Sequence, residues 1–96
     1  MLNHIDIMGR FARDPELSRT NSGKAVCRFT LAVDRNFSND GVDFIDFVSW
    51  EKQAEFVARN FMKGKMVAVS GRLQIRNWTD KDGNKRRTAE IVTEDV

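Results

Sequence analysis

Residues 25–35 alternate apolar and polar side chains with a period of two: Cys27, Phe29, Leu31 and Val33 fall on one face, Arg28, Thr30 and Asp34 on the other. The alternation predicts a half-buried strand over Ala25–Arg35. Its apolar face must be covered by further strands or by a helix, so the rest of the chain has to supply that cover. Val42–Trp50 has the same period, with Ile45 and Phe47 on the face better suited to a core and Phe44, Asp46, Val48 and Trp50 on the opposite face. Lys65–Trp78 is a third and longer example. Val67, Val69, Leu73 and Ile75 form its apolar face, and Met66, Ser70, Arg72, Gln74, Arg76 and Trp78 form the other, with Gly71 in the run.

The period changes once. Ala54, Val57, Ala58 and Phe61 recur at i, i+3, i+4 and i+7, an amphipathic helix stripe that Lys63-Gly64 should stop through a left-handed glycine cap. A first strand is expected over Leu2–Phe11, with Ile5 and Ile7 on one face and Gly9 at a bulge or close backbone approach. Asp14-Pro15 and Thr20-Asn21-Ser22-Gly23 read as turns, 37–41 as a polar connection, Asp80–Asn84 as a hairpin tip centred on Asp82-Gly83, and 87–96 as the last strand. The order is three strands, one helix, two strands. Long strands punctuated by glycine suggest closure, so the expected fold is all-β: a five-stranded Greek-key OB barrel with one helix between strands three and four. An open α+β sheet covered on one side by the helix is the alternative.

At 96 residues the chain is expected to form a single domain spanning 1–96. No apolar run approaches membrane-spanning length, and the first residues lack a secretory pattern. A single cysteine excludes an internal disulfide framework and a cysteine zinc site, and the reducing cytoplasm is the natural compartment. Nucleophile-elbow, phosphate-loop and zinc-protease motifs are absent, so no catalytic residue, metal or cofactor is expected. His4 is the only histidine and has no second one to work with, and Cys27 alternates in phase with core residues as an inert buried thiol. Asp43 and Asp46 read as solvated strand-face charges.

Charge is uneven. Residues 1–50 hold six Lys/Arg against seven Asp/Glu, and residues 51–96 hold ten against seven. The basic second half suits a polyanion. The positive signal is aromatic side chains on faces that ought to be polar: Phe44 and Trp50 on one strand, Trp78 beside Arg72 and Arg76 on another, with Phe37 in the preceding connection. Bases of a single nucleic-acid strand can stack on such rings while arginine and lysine hold the phosphates. Burial of the rings under the helix, or in an oligomer or protein–protein interface, is the competing explanation. The candidate phosphate contacts are Arg10, Arg28, Arg35, Arg72 and Arg76, with Lys81, Lys85, Arg86 and Arg87 around the hairpin tip.

Taken in order, Met1-Leu2-Asn3 with Met8-Gly9-Arg10, Asp14-Pro15-Glu16-Leu17, Phe29-Thr30-Leu31-Ala32-Val33, Asp43-Phe44-Ile45 with Trp50, Lys52-Gln53-Ala54-Glu55, Lys63-Gly64, Gly71-Arg72-Leu73 and Trp78-Thr79 resemble the DNA-binding domain of the bacterial and phage single-stranded DNA-binding protein family. The resemblance runs from residue 1 to about 95. It implies an OB fold without catalysis, and sequence-tolerant protection of single-stranded DNA in replication, recombination and repair. It also implies a cytoplasmic, nucleoid-associated homotetramer (a dimer of dimers), often joined by first-strand pairing. The family's stacking positions align with Phe37, Phe44, Trp50 and Trp78. Full-length members usually continue into a linker and an acidic tail that recruits replication and repair proteins, and such partners are expected only if a tail of that kind exists outside these residues.

Overall fold

The computed structural model describes residues 1–35 and 41–96. Its elements are β1 (Ile5–Phe11), β2 (Glu16–Arg19), β3 (Ala25–Asp34), β4 (Val42–Trp50), α1 (Glu51–Asn60), β5 (Met66–Thr79) and β6 (Lys85–Asp95). The strands form one sheet in the order β1-β5-β6-β4-β3-β2, and a further pairing of β1 with β3 closes it on itself. This is an all-β OB-type barrel, as expected from the strand order; the open-sheet alternative fails at the β1–β3 closure.

The sequence reading missed β2. Both β1 and β2 run antiparallel to β3, with Phe11 opposite Leu31 and Glu16 opposite Arg28. The chain therefore advances five residues while its partner advances three, so two residues are extra. Pro15 has no N–H to give to a ladder, which suits this interruption. β1 and β2 are two halves of one broken strand, which reconciles six segments with a five-stranded barrel. The short β2 carries no apolar alternation to announce it: all four residues are exposed.

Inside the barrel, four phenylalanine rings form a column. Phe61, Phe11, Phe29 and Phe47 stack in succession with centroids 5.1, 5.0 and 5.1 Å apart. Such pairs add about 0.5–1.5 kcal/mol each beyond the area they bury. Around them lie Cys27, Leu31, Ala54, Val57, Val67, Val69 and Ile91. Phe61 explains the end of α1. It takes an extended conformation as C-cap, its N–H donates to the Val57 carbonyl at 3.1 Å, and its ring joins the column. Gly64 is left-handed, at φ 89°, but it serves the turn into β5 and not the helix cap that the sequence suggested.

Two glycines let strands cross closely. A Cβ on Gly9 would stand 2.7 Å from the Ala32 carbonyl oxygen, and one on Gly71 would collide with the Val92 carbonyl. Beyond Gly71 the β5–β6 hairpin projects past the first residue of β1, since Ile5 is the residue opposite Gly71. Leu73 and Ile75, expected in the core, are for that reason half exposed: they keep the core-side alternation, but no strand among the described residues lies beneath them. At the tip, Gly83 is left-handed and its N–H donates to the Asp80 carbonyl, the geometry of a three-residue hairpin loop.

Candidate nucleic-acid interface

The outward alternation of four strands makes one continuous surface. Val26, Arg28, Thr30 and Ala32 on β3 stand opposite Trp50, Val48, Asp46 and Phe44 on β4. Val48 pairs with Val92 across the parallel β4–β6 junction. On the far side, Val92, Glu90, Thr88 and Arg86 of β6 stand opposite Arg72, Gln74, Arg76 and Trp78 of β5. Residues gathered from positions 26 to 92 thus share one face of the sheet.

Three aromatic side chains stand out from it. Phe44 is 68% exposed, and Trp50 and Trp78 are each 41% exposed. The explanation that α1 covers them is set aside by these exposures. Phe44 and Trp50 lie six strand residues apart, about 20 Å, and so mark opposite ends of the face. Small Ala32 beside Phe44, with Arg10 next in the same row, leaves the ring open. Trp50 ends β4 in extended conformation and Glu51 turns at once into the helix with φ 57°, a left-handed conformation costly for a residue with a Cβ. That reversal keeps Trp50 on the sheet surface while α1 folds away from it. The Trp78 indole N–H donates to Thr88 Oγ1 at 2.8 Å, which fixes the ring, and the Arg76 guanidinium lies 5.9 Å from its centroid. Phe37 lies outside the described residues.

The candidate cations divide. Arg10, Arg28, Arg72 and Arg76 belong to this face. Arg28 donates to Glu90 at 3.0 Å, Arg72 donates to Gln74 at 3.0 Å, and Arg10 donates to the Gly64 carbonyl at 3.1 Å. Arg86 stands directly across from Trp78 but donates to Asp80 at 2.9 Å. Asp80 also accepts from the backbone N–H groups of Asn84 and Asp82, and these contacts hold its carboxyl below the usual carboxylate range. Lys85 and Arg87 alternate with Arg86 and face the other side of the hairpin, while Lys81 sits at the exposed tip. Arg35 follows the end of β3 in the alternation of the core face, and its guanidinium is held twice by Asp43, at 2.8 and 3.1 Å. The structure does not bring Arg35 to the aromatic face.

The sequence reading missed the polar centre of that face. Between Phe44 and Trp50 lies a depression of about 230 Å³, lined by Arg13, Thr30, Asp46 and Glu90 among others. Glu90 is only 5% exposed, accepts from Arg28, and has Arg76 Nε 3.8 Å from its other oxygen. Arg13 lies in the connection between β1 and β2, which no periodicity places. Among the described residues, no group of three His, Cys, Asp or Glu is arranged to hold a metal ion, and no helix is long and apolar enough to cross a membrane.

Comparison with known proteins decides what kind of protein carries this face. The family model described as the single-strand binding protein family matches residues 2–96. The chain belongs to this family. Among its relatives, single-stranded DNA-binding protein 2 of Clostridium acetobutylicum is 48% identical, with 99% of this chain covering 74% of that protein. The single-stranded DNA-binding protein of Clostridium tetani is 46% identical over 99% of this chain and 68% of its own length. Single-stranded DNA-binding protein A of Bacillus subtilis is 44% identical over all of this chain and 58% of its own length. By its description and the names of its members, the family is one of binding proteins.

Proposed function

We propose that residues 1–96 form a domain that binds single-stranded DNA with little sequence preference and protects it during replication, recombination and repair. Bases stack on Phe44, Trp50 and Trp78, with Phe37 as a fourth platform. Phosphates are held by Arg10, Arg28, Arg72 and Arg76, and by Lys81, Lys85, Arg86 and Arg87 along the projecting hairpin. The observation that carries this reading is the alignment of three exposed aromatic rings with arginines on one surface across β3, β4, β6 and β5. Family membership and the relatives' names support the choice of single-stranded DNA. Arg35 is left outside the proposed contacts because it follows the core-side alternation of β3, off the aromatic face.

The proposed assembly is a homotetramer in the cytoplasm, associated with the nucleoid. Ile5–Gly9 pairs with β5 along one edge, and β3 pairs with β1 only at Arg10 and Phe11, so the other edge of this stretch has no paired strand among the described residues. Exposed Met8 lies on it. A second copy of β1 would pair that edge, in line with closed symmetric assembly. The test of function is a fluorescence titration. Trp50 and Trp78 emission should fall on adding a thymine oligomer, and duplex of equal length should compete poorly. Unchanged emission, or equal affinity for duplex at moderate salt, would overturn the proposal and favour a protein–protein role for the aromatic face.

A further inference from the structure

The depression between Phe44 and Trp50 is poorly suited to a phosphate. Its walls carry three guanidinium groups, from Arg13, Arg28 and Arg76, and three carboxyl groups, from Glu16, Asp46 and Glu90. These charges cancel inside it, so a phosphate seated in the depression gains little from the field, and Asp46 opposes it directly; Arg28 and Arg76 are half exposed at its rim and meet a phosphate outside it. What the walls offer is hydrogen bonding of both kinds at one place. The buried Thr30 hydroxyl accepts from Arg13 Nη2 at 3.1 Å and donates to Asp46 Oδ1 at 2.8 Å. One fixed hydroxyl therefore holds a donor and an acceptor side by side. Among the described residues, no donor reaches the second oxygen of Asp46.

We propose that this depression is a base-edge subsite in which Asp46 accepts a hydrogen bond from the exocyclic amine of cytosine while Arg13 donates to the acceptor atoms beside that amine. A carboxylate is the acceptor that suits cytosine N4, and thymine places a carbonyl oxygen at the same position. Thymine would thus set an acceptor against an acceptor. Stacking on Phe44 and Trp50 makes no such distinction, so the preference acts at one position of an otherwise sequence-tolerant strand. The proposal rests on the reading that this face binds single-stranded DNA.

The experiment measures affinities for cytosine and thymine oligomers of equal length with the wild type, Asp46→Asn and Thr30→Val. Thymine strands stack less on themselves and gain affinity for that reason alone, so the informative quantity is the change in the cytosine-to-thymine affinity ratio. Asp46→Asn should lower that ratio by about fivefold or more, the low end of what a base-edge contact discriminates. Thr30→Val should lower it in the same direction while leaving every charge in place. Affinity that rises equally for both oligomers in Asp46→Asn makes the carboxylate a matter of charge alone and overturns the subsite. So does an unchanged ratio in both variants with the fold intact by circular dichroism. If the wild type binds neither oligomer, the single-strand reading itself fails, and the subsite with it.

Discussion

Arg28 on β3 reaches over β4 to donate a hydrogen bond to the Glu90 carboxylate on β6, at 3.0 Å. Glu90 is buried and Arg28 is half exposed, so the two partners are not equivalent. Removing the carboxylate leaves a guanidinium that water can solvate. Removing the guanidinium leaves a buried carboxylate whose one remaining charged partner among the described residues is Arg76, 3.8 Å away.

This asymmetry predicts that Arg28→Ala destabilises the fold by about 1–3 kcal/mol, that Glu90→Gln costs less, and that the double variant recovers part of the loss. Urea unfolding of the three variants measures it. Equal costs for the two single variants would mean that Glu90 is solvated well enough without Arg28.

Stacking and charge should separate under salt. Trp78→Ala should weaken binding to a thymine oligomer by about 1–3 kcal/mol at every salt concentration, because a stacked base releases few ions. Arg76→Ala should weaken binding most at low salt and flatten the logarithmic slope by roughly 0.7 for each phosphate that Arg76 neutralises. Affinity titrated against salt for both variants tests the division. A neutral Trp78→Ala would make Trp78 structural and leave stacking to Phe44 and Trp50.

Gly71→Ala should be among the most damaging single-methyl changes in the chain. Its Cβ would meet the Val92 carbonyl, with Ile91 Cγ2 2.9 Å away, where two paired strands cannot separate. Overpacking of this kind costs about 1–3 kcal/mol or more, visible as a lowered Tm. Gly23→Ala carries no such clash, only its left-handed φ of 91°, and should cost less.

Cys27 should resist thiol reagents in the folded protein and react once urea unfolds it. Burial, helped by the Glu16 charge, pushes its thiol up from an ordinary 9.0 to about 11. Between those two values the unfolded chain holds fewer protons than the folded one at this site, so stability falls as pH rises through that window and is undiminished below it. Cys27→Ala should remove this part of the alkaline decline in unfolding experiments run from about pH 8 to about pH 11.

Strand periodicity, the helix stripe and the hairpin tip were legible in the sequence because each depends on neighbours within a few residues: Cys27, Phe29 and Leu31 alternate whatever surrounds them, and Asp82-Gly83 makes its own turn. The same local alternation put Phe44, Trp50 and Trp78 on outward faces. Closure, and everything that closure juxtaposes, lay beyond it. That β1 and β2 are one broken strand depends on both pairing with β3. That Leu73 and Ile75 emerge from the core depends on where β1 begins. That Arg28, Arg76 and Glu90 meet, and that Arg35 pairs with Asp43, depends on strands pairing in one register. Sequence alone determined which side chains alternate, since backbone geometry enforces period two. Only the tertiary structure decided which of them share a surface and which charges cancel, because those contacts join residues far apart in the chain, sixty-two positions for Arg28 and Glu90.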